Sequence, residues 1–309
     1  MVDYTYTSAR VSALENGLLS LHDIESLISC KSEADCIKML NSFGYEGDSA
    51  DEIIKGAKEK KEKIISELVG EPEEIEVLFY ENTFHNLKAA IKKLYAPQTK
   101  GKLYVGEALV SGEEFEEKIK EGNYEALPSY CAGAAKEAYT ALLHTGDGRL
   151  ADTVVDRACL DAFTAFAEKT KHDILRKYAN ELVAAVNVKI ALRSVGGDKE
   201  LLEKALAPCA LISKEGLIKA CTDEKSLKEF LSGYGYTEED YKNIDSLAKK
   251  RIMQTLKPEK YKIFSPAPTI NYIISLENEI SVLRLVLVCK ANGVEDEFIK
   301  RRVVDSYGI

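Results

Sequence analysis

Apolar residues along this chain recur at helical spacing and rarely at strand spacing. In "SEADCIKMLNSFGY" (32–45), Cys36, Met39, Leu40 and Phe43 stand at i, i+3, i+4 and i+7, one stripe of an α-helix. "DEKSLKEFLSGYGY" (223–236) repeats the stripe without a gap as Leu227, Phe230, Leu231 and Tyr234. Gly44 and Gly235 follow, at the place where left-handed backbone ends a helix. "AKEAYTALLHTG", closing on Gly146, is a weaker middle copy.

Helix-start signals recur in step with these stripes. Ser111 opens a capping box in which its hydroxyl accepts from the Glu114 N–H and the Glu114 carboxylate reaches back. Val110 and Phe115 flank that cap as a hydrophobic staple. Ile212 and Leu217 do the same around Ser213, where Gly216 loses the reciprocal carboxylate, and Leu19 and Ile24 around Ser20 and Asp23. A longer helix follows each cap: "NLKAAIKK" from Asn86, "NVKIALRS" from Asn187 and "NEISVLRL" from Asn278. Caps at 20, 111 and 213, glycines at 44, 146 and 235, and asparagines at 86, 187 and 278 keep nearly common intervals.

The chain therefore reads as an internal threefold repeat. Its period of about 100 residues is too long for a solenoid unit. The expectation is an all-α protein of three similar helical domains, 1–103, 104–205 and 206–309, with the terminal segments free to complete one domain together. Strand-like pieces such as "KLYVGEALV" (102–110) are short, and the capped helix consumes their end. Turn signals lie at "APQTKGK" (96–102) and "SVGGDKE" (194–200).

Composition narrows the function classes. The chain has 309 residues, 30% of them charged and 45% hydrophobic, as in a globular protein, and a net charge of −9. That balance argues against nucleic acid as a primary partner. The basic run "KGAKEKKEK" (55–63) alternates with acids and reads as a solvated helix face. Seven cysteines without metal-knuckle spacing read as small buried hydrophobes in a reducing cytosol. The N-terminus lacks a signal-peptide core, and the most apolar run, "ISVLRLVLVC" (280–289), is short and carries Arg284.

"YTYTSARVSALENGLLS", the "NLK" and "NVKIALR" helices, and "PAPTINYIISLENEISVLRLVLVCKANGVEDEFIKRRVVDSYG" together resemble one family, the C-type subunits of V/A-type ATPases, to which the d-type subunits of vacuolar ATPases are related. Glu277, Glu279, Ile280, Arg284 and Lys290 carry the terminal pattern. Where the family often has an Asp shortly before the repeated Asn, this chain has Thr83 and Ala184. The resemblance implies a funnel of three helical domains about a pseudo-threefold axis. It implies a non-catalytic rotor adaptor, monomeric within its complex and peripheral to the cytoplasmic membrane face. Its partners would be the D and F subunits of the central stalk and the membrane rotor ring of proteolipid subunits, with no cofactor.

Other chemistry has fewer residues behind it. There is no Gly-rich phosphate loop, and His22, His85, His144 and His172 lack the spacing of a helical zinc pair. His144, the pair His172–Asp173 and either Asp240 or Asp245 could instead mark a helical metal-dependent phosphohydrolase. A free-standing helical scaffold is the third reading. For Asn86, Asn187 and Asn278, one reading is a buried amide locking a neighbouring turn; the other is a contact to stalk or ring. Lys88 with Lys92, and Lys189 with Arg193, share helix faces, solvated or partner-facing, and Ile280 with Arg284 breaks the pair in the third copy. That inequality would let an asymmetric stalk choose one register.

Overall fold

A computed structural model describes residues 4–69, 72–98, 101, 103–244 and 246–303. Within the turn segment 96–102, positions 99, 100 and 102 lie outside the described residues. So do Asp245 and residues 304–308 of the terminal segment. The described chain is all-helical. In order the helices are α1 (Tyr4–Glu15), α2 (Leu21–Ile28), α3 (Glu33–Ser42), α4 (Ala50–Leu68), α5 (Tyr80–Tyr95), α6 (Gly112–Glu121), α7 (Ser129–Thr145) and α8 (Gly148–Lys169). There follow α9 (Asp173–Arg193), α10 (Lys199–Ala205), α11 (Lys214–Ala220), α12 (Glu224–Ser232), α13 (Glu238–Lys242), α14 (Leu247–Leu256), α15 (Ala267–Ala291) and α16 (Asp296–Arg302).

Contacts divide the chain into two compact units. The first is Met1–Pro72, His172–Leu182 and Thr237–Ile309; the second is Glu73–Lys171 and Val183–Tyr236. The first is organised by α15, which is apolar on nearly every side and hence buried along most of its length. Tyr272, Leu276, Leu283 and Leu287 of α15 join Ile24, Leu27, Leu40 and Ile53 in one core. Each such aliphatic side chain removed from water contributes about 1.5–3 kcal/mol before entropy is counted.

Helix α4 shows how that core overrides local charge. The run 55–63 is not wholly a solvated face: Ala57, Lys61, Ile64 and Leu68 form its buried stripe. Lys61 is 4% exposed and its ammonium hydrogen-bonds Glu277 on α15. A lysine on the core stripe needs such a partner, because an unpaired buried charge is costly.

The second unit is built on α5 to α8. Tyr80 sits at its centre, 4.9 Å from the Tyr130 ring and edge-on to Phe163 at 5.4 Å. Helices α7 and α8 pack closely where Ala134, Ala135, Ala138 and Ala151 leave room. The helix stops fall at Gly44, Gly146 and Gly235, with φ of 91°, 67° and 77°. In contrast, Phe43 and Tyr234 are more than a third exposed. Helices α3 and α12 end at Ser42 and Ser232, so the last member of each stripe lies beyond the regular helix and turns outward.

Candidate functional site

All three caps form, and each staple is buried: Leu19 with Ile24, Val110 with Phe115, and Ile212 with Leu217. The full reciprocal box is made at Ser20, where Asp23 accepts the Ser20 N–H at 2.9 Å and its hydroxyl at 2.6 Å. Those bonds hold the Asp23 carboxyl below its usual range. At Ser111 the expected return bond from Glu114 is not made. The serine accepts the Glu114 N–H, but that longer side chain stays in water. At Ser213 the glycine has a steric reason. A Cβ on Gly216 would lie 2.5 Å from the Phe230 ring, which occupies the space a capping carboxylate would need.

The repeated asparagines reveal what the caps are attached to. On α5, the Asn86 amide closes two bonds on one residue: its Nδ2 donates to the Val105 carbonyl at 3.0 Å, and its Oδ1 accepts the Val105 N–H at 2.9 Å. On α9, Asn187 does the same to Ala207, at 2.8 and 3.1 Å. Val105 precedes Ser111, and Ala207 precedes Ser213, by the same six positions. An amide matches a peptide donor and acceptor at once, so it fastens an irregular strand of chain to a helix without leaving an orphan. Near Asn86, Thr83 adds a bond from the Leu109 N–H at 2.9 Å; near Asn187, Ala184 cannot, and the Leu211 N–H turns to Cys209 Sγ at 3.4 Å.

The third helix departs from this scheme. Asn278 is buried on α15, but the neighbouring side chain takes the cap segment. Glu279 Oε2 accepts the Leu19 N–H at 2.5 Å, and Oε1 accepts the Tyr45 hydroxyl at 2.5 Å. Glu279 is 1% exposed and fills the stripe position held by Leu87 in α5 and Val188 in α9, both 0% exposed. Burial pushes its carboxyl above the usual 4.5, while the Tyr45 and Leu19 bonds pull it back. Burial, with the nearby Glu279, raises Tyr45 and pushes Tyr272 up to about 12. In the sequence Glu279 counts only as part of the terminal pattern of the resemblance, with no task of its own. The signal was an acid falling on an otherwise apolar stripe when the three asparagine helices are aligned.

The basic candidates separate. Lys88 meets Asp156 at 2.7 Å and Lys92 meets Asp152 at 2.8 Å, a two-rung ladder between α5 and α8 within the second unit. Lys189 is half-buried and Arg193 exposed on α9; Arg284 is exposed on α15. Lys93 carried no mark in the sequence, yet it and Tyr104 both bond Glu116. Burial opposes ionisation there, but those bonds hold the Glu116 carboxyl below its usual range.

The residues suggested for a metal have other employment. Asp173 is bound by Lys177 and Lys262, which hold its carboxyl low. Asp240 closes the Thr237 capping box and takes Lys250 at 2.7 Å. His144 is exposed. No group of three or more His, Cys, Asp or Glu able to hold a metal occurs among the described residues. In the first unit, a cleft of about 600 Å³ is lined by Lys250, Lys257, Lys300 and Arg301 beside Asp240. No helix among the described residues is long and apolar enough to cross a membrane.

Helices clamped to their cap segments by buried amides and a buried carboxylate make up an all-α protein. The sequence profile of the ATP synthase (C/AC39) subunit family matches residues 7–302, and the chain belongs to that family, the C- and d-type subunits of V/A-type ATPases. Its members are rotor-associated, non-catalytic structural subunits of rotary ATPases. No curated protein matches the chain.

Proposed function

We propose that this chain is the central-rotor adaptor of a V/A-type ATPase, a socket that receives the D and F subunits of the stalk and rests on the membrane rotor ring. In that role it passes torque between ring and catalytic head, on the cytoplasmic face, as a single copy with no reaction of its own. The observation that carries the reading is the family match across residues 7–302. The repeated anchors support it: a torque-bearing wall must not let its loops shear from its helices, and Asn86 and Asn187 fix those loops by paired bonds. The threefold organisation into 1–103, 104–205 and 206–309 belongs to the same proposal. It draws on the recurrence of cap, glycine stop and asparagine helix, and on α15 holding Leu19 just ahead of the first cap. The phosphohydrolase reading is weakened because Asp173 and Asp240 are already committed to lysines and a helix cap.

Calorimetric titration with the purified stalk pair, at low and moderate salt, tests the socket. Saturable one-to-one binding is expected, and reversing Lys189 and Arg193 should weaken it and flatten its salt dependence. Absence of binding by the folded, helical protein would overturn the socket reading. Reversals without effect would remove the α9 basic pair from the interface and end the register idea built on its absence in the third copy.

A further inference from the structure

The segment leading into α15 displays apolar side chains where a soluble surface usually has few. Tyr261 is 73% exposed, Phe264 77% and Ile263 49%. They sit together on the stretch "KYKIFSP", where the short helix Lys257–Tyr261 ends. The exposure is built in, since the turn beneath is fastened. Ser8 Oγ donates to the Ile263 carbonyl at 2.7 Å, the Ser265 N–H and hydroxyl both reach the Lys262 carbonyl, and Lys262 binds Glu259 and Asp173. Glu259 is 1% exposed and also takes Lys177 at 2.6 Å, while Asp173, half exposed, is held by both Lys177 and Lys262.

Cations flank the tip in the chain. Lys257 opens the short helix and also lines the cleft with Lys250, Lys300 and Arg301, where Glu239 and Asp240 offset two of the four positive charges. The Lys260 ammonium lies 5.3 Å from the Tyr261 ring centre. Tyrosine beside lysine, with phenylalanine and isoleucine at the tip, is the chemistry that favours the boundary between headgroups and acyl chains. Exposed lysines draw such a surface toward anionic lipid, although the whole chain is acidic.

We propose that the 261–264 tip and the basic cleft meeting it at Lys257 form a lipid-contact site: Phe264 and Ile263 enter the interface of an anionic bilayer while Lys257 and Arg301 face its phosphates. This contact is made by the chain itself and does not depend on the stalk socket, which the titration above tests separately.

The chain contains no tryptophan, so Phe264→Trp places a single reporter at the tip. The full-length variant is mixed with vesicles of phosphatidylcholine, with or without phosphatidylglycerol, and Leu201→Trp serves as an exposed reference site. The expected result is a blue-shifted indole emission at position 264, quenched by brominated acyl chains, with anionic vesicles only and not at position 201. In sedimentation with the same vesicles, Tyr261→Ser/Phe264→Ser should bind about tenfold or more weakly. Lys257→Glu/Arg301→Glu should lose binding at low salt and approach the parent at high salt. Unchanged emission at 264 with anionic vesicles would overturn the proposal. So would a shift that appears only with the purified rotor ring in detergent, which would make the tip a protein contact. Equal binding to neutral vesicles would overturn the role of the cations.

Discussion

The two units fasten their cap segments by different chemistry. In the second, Asn86 and Asn187 use neutral amides that satisfy a peptide N–H and C=O together. In the first, Glu279 accepts from Leu19 and Tyr45 and donates to neither. The neutral anchor is indifferent to pH and reaches a neighbour 19 or 20 residues away; the acidic one carries a burial penalty and joins residues 260 apart. A repeated position can therefore keep its mechanical task while its chemistry changes. A carboxylate can stand on a core stripe if donors meet both its oxygens.

The most damaging break should be Glu279→Ala. It strands the half-buried Tyr45 hydroxyl and the buried Leu19 N–H and opens a cavity, and we expect a loss of about 3–5 kcal/mol in denaturant unfolding. An effect under about 1 kcal/mol would mean the carboxylate is not the anchor. Asn187→Ala should come next, at about 2–3 kcal/mol, because it orphans both polar groups of Ala207. Asn86→Ala should cost somewhat less, since Thr83 still holds the neighbouring Leu109 N–H.

A smaller effect distinguishes the anchors by pH. Glu279 binds its proton more tightly folded than unfolded, so its contribution to stability falls as pH rises from about 4.5 and levels off above its folded value. Glu279→Gln removes that dependence. Its Oε1 can keep the Leu19 N–H while the Tyr45 oxygen turns acceptor. The stability of Glu279→Gln relative to the parent should therefore improve with rising pH, whereas Asn187→Asp read the same way should worsen. A flat difference for Glu279→Gln would show that the carboxyl titrates normally. The least effect belongs to the α5–α8 ladder: Lys92→Ala or Asp152→Ala should cost under about 1 kcal/mol, because both side chains are a third or more exposed.

Much of the helical frame was legible because capping and helix termination are local rules. Serine before a buried staple, and glycine after an apolar stripe, carry their own geometry in a few residues. Asn86 and Asn187 stood out because asparagine is a poor mid-helix residue, though their partners, Val105 and Ala207, carry no mark in their side chains. A backbone acceptor looks alike at every position. Lys61 was misread with its neighbours because the partner that draws it inward, Glu277, is 216 positions away. For the same reason Lys88 and Lys92 read as solvated or partner-facing, since Asp156 and Asp152, which meet them from α8, stand 68 and 60 positions away. The tip at 261–264 was passed over because its pattern is not periodic, and only the fold shows that its apolar side chains face water.

The 260-residue separation between Leu19 and Glu279 also sets a clock. The second unit's anchors close within 20 residues, soon after each stretch leaves the ribosome. The anchor of the first cap must wait for another 260 residues. At about 5–20 residues per second, Ile24, Leu27 and Leu40 stay without α15 for roughly 10–50 s. In the living cell, then, helices α1 to α3 are among the last parts of the first unit to be finished, and they are where a chaperone would find the longest-lived apolar surface.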